Sequence, residues 1–538
     1  IFDCADQEAL DKLAYDVRWQ YALGVPPEEA YLSRRSLVEF RSRLVEFDPQ
    51  MQLVEEVFER VTQAALEDLD VEIAHQRCDA TLIVSNIQTR GREWLFGETL
   101  RTFLADLKET RPEAYQQLPD GLAGWADKRL EEDGWFAQGN VQRVSLEKLA
   151  EWLVWVQHTY RGDEQMAGRE SYRLVERLID EQCELRPADS ADDETDGEQT
   201  ALAAGAEEAG GTADGEDEAL EVEVRDEPTN GGASMQTPHD PDATYGQKGV
   251  GYKVHLVETV GHDEETPELL TGYRVTGADK SDRGKTTPLY EGLEKRGWCP
   301  EVLFADGGYP TAESILEARD RGSRLHAPVT RGKLPDEYVG REAFEFGEDG
   351  HVQRCPEGHE PLGHTHRKRP GREERILHAV FEDAHCEGCP LVGKCPVRNK
   401  HGNKWYIPVD RRLRARDEAL AAQEDPSWWE AYRIRSGAEA TVSEMARAHG
   451  MDQLRVRGRE RVELEVGLKV TACNVKRWLR GGDPGKTGPL WANRTSTRRC
   501  PSIAAKTGRV ARSWPTTTPT PPMTTEPTGM AVRNTPIW

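Results

Sequence analysis

Hydrophobic residues recur at helical spacing over the first part of the chain. A turn at Gly24–Pro27 ends the first predicted helix, Ser33 can cap a second, and a third is predicted over residues 51–76. The apolar positions of the first two helices are Leu10, Leu13, Val17 and Tyr21, then Leu37, Phe40, Leu44 and Phe47. Residues 1–76 therefore form a predicted helical domain. Its basic surface favours DNA binding, and a plain helical bundle with a solvated basic face is the alternative.

The pattern then changes to short apolar runs that alternate with helices. Cys78–Val84 is β-prone, and helical segments follow it up to residue 184. Further on, 251–257 alternates as a strand, 269–277 reads as its hairpin partner, and 301–306 and 325–329 are apolar strands. We therefore expect an α/β fold, with the first strand and a helical insertion in 77–186 and the main core in 233–330.

Three segments do not fit a packed core. Residues 187–232 are Ala- and Gly-rich and acidic, which predicts a disordered linker, and 481–538 are Thr/Pro/Gly-rich, which predicts a disordered tail. Residues 331–425 form a basic, Cys-bearing insertion. Between the insertion and the tail, 426–480 are predicted to be helical.

The charge is unevenly distributed along the 538 residues. The net charge is -26, but 187–227 alone contains 16 acidic residues against one Arg, whereas 431–480 contains 11 basic residues against 6 acidic ones. No apolar run approaches the length of a membrane span, and no export signal is visible. Ten Cys without a dense framework indicate a reducing compartment. These features exclude a membrane protein and a secreted disulfide scaffold.

Three carboxylates occur in unusual settings. Asp79 lies in a strand-like apolar run, Asp306 ends another before a Gly-Gly turn, and Glu439 follows Tyr432 and Arg435 on one helix face. Acids brought together from separate elements can hold the two Mg²⁺ ions of phosphodiester cleavage. Each also has a simpler interpretation, as a turn residue or as an ordinary i,i+4 ion pair.

Taken in order, these blocks resemble a known family. Asp79-Ala80-Thr81, the run 251–256, Ala305–Tyr309 and the Tyr432, Arg435, Glu439 spacing are similar to the signature blocks of DDE transposases of bacterial and archaeal insertion sequences. The nearest class is the one named for insertion sequences four and five. Residues 474–478 resemble its C-terminal block, but Ala446 stands where that class has a final Lys.

The resemblance implies a fold, a site and partners. We expect an RNase H-like mixed sheet flanked by helices, with Asp79, Asp306 and Glu439 binding Mg²⁺ or Mn²⁺. Tyr432 and Arg435 would contact the DNA backbone. The enzyme would bind the terminal inverted repeats of its element, cleave there and join the 3′ ends to target DNA. It would act as a homodimer in the cytoplasm, at the nucleoid.

Two functional alternatives stay open at this point. One is an RNase H-like nuclease that cuts without strand transfer, and the other is an inactive, transposon-derived DNA-binding protein. An alternating basic run suits phosphate contacts in any of these, although it can also be a solvated face. Its members are Arg455, Arg457, Arg459 and Arg461.

Four cysteines in the insertion have spacing that favours a structural Zn²⁺ site. They are Cys355, Cys386, Cys389 and Cys395, and the alternative is four thiols without metal.

A second carboxylate competes for the first catalytic position. Asp240 lies closer in sequence to the strand at 251–257, but Pro241 follows it and favours a loop. Asp79 precedes Leu82, Ile83 and Val84, which can form a central strand. We therefore predict Asp79 as the first acid.

Overall fold

A six-stranded mixed β-sheet lies at the centre of the chain. The computed structural model describes residues 4–87, 91–131, 144–187, 220–261, 266–368, 375–397 and 399–481. The strands are β1 (His75–Val84), β2 (Cys183–Pro187), β3 (Leu220–Val224), β4 (Thr244–Gly246), β5 (Gly249–Thr259), β6 (Leu270–Gly277), β7 (Val302–Phe304), β8 (Arg324–His326), β9 (Glu345–Phe346), β10 (Val352–Arg354), β11 (Gly363–Lys368), β12 (Arg375–Glu382), β13 (Asn399–His401) and β14 (Lys404–Pro408).

Helices cover this sheet and build the remaining units of the chain. They are α1 (Asp6–Tyr15), α2 (Val17–Leu23), α3 (Arg34–Phe47), α4 (Gln52–Asp68), α5 (Arg92–Thr110), α6 (Pro112–Tyr115), α7 (Asp120–Glu131), α8 (Leu146–Tyr160), α9 (Glu170–Gln182), α10 (Thr286–Arg296), α11 (Ala312–Asp320), α12 (Asp383–Cys386), α13 (Arg411–Ala422), α14 (Pro426–Tyr432), α15 (Ala438–His449) and α16 (Arg459–Gly481).

The central sheet combines antiparallel and parallel pairing. β5 pairs antiparallel with β1, β4 and β6, whereas β1, β7 and β8 run parallel. Parallel neighbours need crossover connections, and α11 provides the one between β7 and β8. The α/β prediction is confirmed, and β6 begins within one residue of its predicted start.

β5 is buried at nearly every position, not only at the alternate ones that the sequence pattern predicted. Val254, Leu256 and Ile83 are buried, and α4 contributes the fully buried Phe58. Removing such a ring costs about 3–5 kcal/mol. α4 and α16 pack together, and α16 also packs against β6.

A separate helical unit with its own core lies between β1 and β4 in the sequence. Helices α5, α8 and α9 bury Phe103, Leu153 and Leu178, among other residues. β2 and β3 form an antiparallel pair beside it. The predicted linker is therefore too long at its C-terminal end, because 220–224 form a strand rather than disordered chain. Residues 188–219 lie outside the described residues.

The Cys-bearing insertion is more regular than the sequence suggested. β11, β12, β14 and β13 form a four-stranded antiparallel sheet, with Phe381 and Ile407 buried in its core. The predicted tail, from residue 482 onward, lies outside the described residues.

The N-terminal helices differ from their prediction in two respects. The first predicted helix is broken at Asp16, whose side chain caps α2 by accepting the Arg18 N–H at 3.0 Å. The stripe predicted to face a core on α3 is also largely outward, since Phe40 is 61% and Phe47 is 83% exposed. α3 instead packs through Val45, which joins Val54 and Leu464.

Candidate active site

Two of the predicted acids lie where the parallel ladder between β1 and β7 ends. The parallel ladder of β1 and β7 ends at the pair Arg77 and Phe304, and Asp79 and Asp306 each lie two residues further on. Each carboxylate accepts one backbone N–H at 2.8 Å, Asp79 from Ala80 and Asp306 from Gly308. Strand direction and register together therefore place both side chains on one side of the sheet.

The guanidinium of Arg435 connects all three predicted acids. Its Nη2 lies 2.9 Å from Asp79 Oδ2 and 4.0 Å from Asp306 Oδ2, and its Nη1 lies 3.3 Å from Glu439 Oε1. The exposed fraction of the carboxylates rises from 14% at Asp79 through 36% at Asp306 to 70% at Glu439. We call these four residues the carboxylate corner. It opens to solvent and holds three acids against one base.

Burial dominates the electrostatics of the innermost acid. Desolvation raises the pKa of Asp79, and the positive charge of Arg435 only partly opposes it. Burial lowers the pKa of Arg435, but the negative charges of Asp79 and Asp306 outweigh this effect, and the net shift is upward. Arg435 therefore keeps its charge, and a cation at this corner would favour the ionised form of Asp79.

A buried arginine holds the segment that carries Arg435. Arg77 Nη1 donates to the carbonyl oxygen of Ile434 at 3.2 Å, and Arg77 Nε donates to Glu258 Oε1 at 2.8 Å. Gly437 lies against this guanidinium, where a β-carbon would overlap it. Arg77 was not among the predicted site residues, because it precedes the β-prone run Cys78–Val84 and joins the strand only in the structure.

A second arginine ties the helix of Glu439 to the core. Arg477 on α16 donates to Glu258 Oε2 at 3.1 Å, to Glu444 Oε2 at 2.8 Å and to Thr441 Oγ1 at 2.7 Å. Glu258 is only 3% exposed and also accepts a hydrogen bond from Thr441. We call Arg77, Arg477 and the glutamates they bind (Glu258, Glu268 and Glu444) the buried network.

The block at 474–478 stabilises the fold through the hydrogen bonds of Asn474. Asn474 Nδ2 donates to the Leu270 carbonyl oxygen at 2.7 Å and to Thr62 Oγ1 at 2.8 Å, and its Oδ1 accepts the Leu270 N–H at 2.9 Å. The completely buried Asn474 therefore fastens α16 to α4 and β6.

Aromatic rings flank the corner on α14. The rings of His326 and Trp428 stack at 4.2 Å, and those of Trp428 and Tyr432 stack at 5.5 Å. Trp429 contacts Trp428 edge-on and is 46% exposed. Such a surface can stack on nucleic-acid bases. Of these aromatic residues, only Tyr432 was predicted from the sequence as a site residue.

Asp240 does not lie with the carboxylate corner. Its carboxylate is fully buried and accepts hydrogen bonds from Ser85 Oγ, from Tyr252 Oη at 2.6 Å and from the Gly458 N–H at 3.0 Å. These bonds close the loop before β5 onto β1 and the start of α16. Arg435 bridges Asp79 rather than Asp240.

A polar cleft of about 700 Å³ lies beside the corner and reaches Gly308. Lys253 projects from β5 into its lining and lies 2.9 Å from Asp282 Oδ1, while Lys248 and Lys280 line the same cleft. Asp279 and Asp282 line the cleft as well and pair with Lys280 and Lys253, so the cleft holds three lysines and two aspartates. Neither Lys253 nor Asp282 was singled out from the sequence.

The basic run before and at the start of α16 is on the surface. Arg455, Arg457, Arg459 and Arg461 are all exposed. Arg457 Nε donates to the Asn86 carbonyl oxygen at 3.1 Å, and Arg459 Nε pairs with Glu463 Oε1 at 2.9 Å. Both the phosphate-contact and the solvated-face interpretations fit this exposure.

The four cysteines of the insertion line one small cavity of about 30 Å³, together with His359 and His385. Burial raises the pKa of Cys386 to about 12, and the neighbouring thiols add to the effect. The sulfur of Cys355 accepts the His359 N–H at 3.4 Å, and that of Cys389 accepts the Leu391 N–H at 3.4 Å. In the part of the chain that the structure describes, the four sulfurs do not form a group whose members all lie within 4.8 Å of one another.

Comparison with known families gives one match. Residues 354–479 match the family model described as a transposase DDE domain. No significant match was found among curated proteins or solved structures. The matched residues include Tyr432, Arg435 and Glu439 but neither Asp79 nor Asp306. The match supports a DDE transposase family and suggests transposase activity.

None of the described helices is both long enough and apolar enough to cross a membrane.

Proposed function

We propose that the chain is a DDE transposase of an insertion sequence of the class named for insertion sequences four and five. It binds the terminal inverted repeats of its element, cleaves the DNA there and transfers the 3′ ends to target DNA. The observation that carries this proposal is the convergence of Asp79, Asp306 and Glu439 on Arg435 within 4.0 Å. The matched family model supplies independent support.

The strand order supports an RNase H-like core. The first acid lies on the first strand of the sheet, the second follows β7, and the third lies on a late helix. The helical unit between β1 and β4 is then an insertion into that core.

The donor set suits Mg²⁺ or Mn²⁺. Asp79, Asp306 and Glu439 offer hard carboxylate oxygens from three elements, and two of them are open to water. Their oxygens do not all lie within 4.8 Å of one another in the structure, where Arg435 contacts all three, so the side chains would have to close around bound ions. Bound divalent ions would supply an activated hydroxyl group and would stabilise the leaving oxygen. The chain's own part is to orient the acids, through the β1–β7 register for the aspartates and through the buried network for Glu439.

We propose that Arg435 and Tyr432 bind the DNA backbone next to the acids. Once cations neutralise the carboxylates, the Arg435 guanidinium can pair with phosphate oxygens, which it binds in fork geometry. The exposed Arg455 and Arg457 extend the contact surface. Two ends are joined in one reaction, and we therefore infer a homodimer on DNA, at the nucleoid in the cytoplasm.

We infer that Cys355, Cys386, Cys389 and Cys395 bind a structural Zn²⁺. The shared cavity and the two N–H···S bonds support this, since backbone donors stabilise thiolate ligands. The ion would hold the insertion together and would take no part in cleavage, because four thiolates leave no open position.

The proposal is tested with DNA carrying the element's ends. Asp79→Asn and Asp306→Asn should each lower Mg²⁺-dependent cleavage by at least about 10²–10³-fold while end binding persists. Asp240→Asn is the matched control, because it changes a buried Asp outside the corner. It should destabilise the fold and keep the cleavage that its folded fraction allows. Full cleavage by Asp306→Asn would contradict the proposal.

The same assay separates the rival functions. Joined products between end and target DNA indicate a transposase, whereas cleaved ends that never join indicate a nuclease. End binding without Mg²⁺- or Mn²⁺-dependent cleavage by the unaltered chain would indicate an inactive DNA-binding derivative.

A further inference from the structure

Three metal-binding side chains meet between α15 and α16, away from the cysteines of the insertion. Glu444 and His449 come from α15 and Cys473 comes from α16, and their ligand atoms all lie within 4.8 Å of one another. His449 is 4% exposed and Cys473 is fully buried. Among the described residues, this is the group of carboxylate, imidazole and thiol that comes closest to one point.

The imidazole at this joint has an unused nitrogen. His449 Nε2 is buried and makes no hydrogen bond. Buried polar atoms almost always have a partner, and an exception calls for an explanation such as an ion. The thiol of Cys473 is only a weak hydrogen-bond donor and acceptor, so it is a poor partner for this nitrogen.

The carboxylate has one oxygen that is free to bind. Glu444 Oε2 accepts from Arg477 at 2.8 Å, whereas Oε1 has Arg480 only at 3.8 Å. The other nearby cations point to backbone, since Lys469 Nζ donates to the His449 carbonyl oxygen and Lys476 Nζ to that of Ala448.

The charges around the joint leave room for a divalent cation. The buried network contains three glutamates and two arginines, which is a net charge of −1. If Cys473 loses its proton to solvent, the net charge becomes −2. A divalent cation would offset this negative charge together with Arg480, Lys469 and Lys476, which lie at the edge of the joint.

We propose that Glu444, His449 and Cys473 form a Zn²⁺ site that clamps α15 to α16. Thiolate, imidazole and carboxylate together are ligands for zinc rather than for Mg²⁺, which prefers oxygen alone. The ion binds Cys473 as thiolate, and water completes the coordination. Because α15 carries Glu439 at its first turn and His449 at its last residue, the ion would fix the helix that presents Glu439.

The test measures zinc in the full chain after loading with Zn²⁺ and desalting. In a Cys386→Ser, Cys389→Ser background, which removes the other thiol site, we expect about one zinc per chain. His449→Gln or Cys473→Ser should each reduce this value to nearly zero. Asp79→Asn and Cys183→Ser are controls, and neither should change it.

Two further measurements keep the result independent of folding defects. In the otherwise unchanged chain, His449→Gln should lower the zinc content by about one, whatever the state of the insertion. Zn²⁺ should also raise the unfolding temperature of the background chain, and EDTA should reverse the rise. Unchanged zinc content in His449→Gln, or a folded background chain without zinc, would overturn the proposed zinc site. Neither result would contradict the proposed Mg²⁺-dependent cleavage, which is measured separately.

Discussion

The carboxylate corner and the buried network use the same residue types for opposite purposes. In the corner one arginine faces three acids, and Glu439 is 70% exposed. In the network two arginines face three glutamates, and Arg77 and Glu258 are 7% and 3% exposed. The excess of exposed negative charge leaves the corner able to attract cations. The network is more nearly balanced in charge, and its central residues are shielded from water, so it holds the surrounding elements in place.

The two regions are mechanically connected. Arg77 lies on β1 two residues before Asp79, and it donates to Ile434 beside Arg435. Arg477 binds Thr441, two residues after Glu439. The network therefore fixes the backbone from which each charged group of the corner projects, except that of Asp306. That aspartate is positioned by the β7 ladder and its Gly-Gly turn.

The largest effect on stability is expected from Glu258→Gln. This change removes the charge that Arg77 and Arg477 share at 2.8 and 3.1 Å. Breaking a buried ion pair costs about 3–5 kcal/mol, because the remaining charges stay buried without compensation. Glu439→Gln in the exposed corner is the matched control, with an expected change within about 0.5 kcal/mol. Denaturant unfolding followed by tryptophan fluorescence measures both. If both variants lost the same free energy of unfolding, the proposed difference between the buried network and the carboxylate corner would be wrong.

Much of the sheet could be predicted from the sequence. The alternation at 251–257 and 269–277 and the apolar run before Asp306 became β5, β6 and β7. Local patterns are informative there because the apolar residues that each strand buries form a continuous run or an alternation in its own sequence. The order of blocks also placed Asp79, Asp306 and Glu439, which the structure gathers around Arg435.

The rest depends on tertiary contacts that no local pattern reports. Arg77 and Glu258 read as ordinary charged residues, and only the fold makes them a buried pair. The α3 stripe predicted a buried face, but few elements pack there, and Phe47 stays exposed. The strand at 220–224 was hidden in an acidic segment because its pairing partner, β2, lies on the far side of 188–219.

His255 is a buried titratable residue outside both regions, and it makes the stability of the fold depend on pH. Burial lowers the pKa of His255 to about 4, while its Nδ1 lies 2.9 Å from Tyr309 Oη. The pKa of His255 in the folded chain lies below the unfolded value of about 6.5. Neutral, buried His255 therefore contributes its full share to the free energy of unfolding above pH 6.5, and this contribution is lost as the pH falls towards 4. The loss is on the order of 3 kcal/mol.

Unfolding of the wild type and of His255→Gln at a series of pH values measures this loss. The glutamine can keep the hydrogen bond to Tyr309, but it does not titrate. The wild type should lose more stability than the variant between pH 6.5 and 4.5. Parallel pH profiles would show that another group causes acid unfolding.

A smaller effect is expected where the network meets the corner. Gly437→Ala places a methyl group against the Arg77 guanidinium, which Glu258 and the Ile434 carbonyl hold in place. Overpacking of this kind costs about 1–3 kcal/mol. Gly124→Ala is the control, since nothing lies within 4 Å of its new methyl group and alanine favours the helix. In a double-mutant cycle, Arg77→Met should remove most of the Gly437→Ala cost, and simple additivity would contradict the proposed contact.

The smallest effect is expected from an exposed arginine outside both regions. Arg455 is exposed, and its removal should change stability by no more than about 0.5 kcal/mol. If it contacts phosphate, Arg455→Ala weakens DNA binding about equally for all sequences and lowers the salt dependence of binding by about one ion. Binding titrations at several salt concentrations measure both quantities. Lys148→Ala, which removes an exposed cation paired with Glu151 on the helical unit, is the matched control. If both variants bind DNA with the wild-type salt dependence, Arg455 belongs to a solvated face and does not contact phosphate.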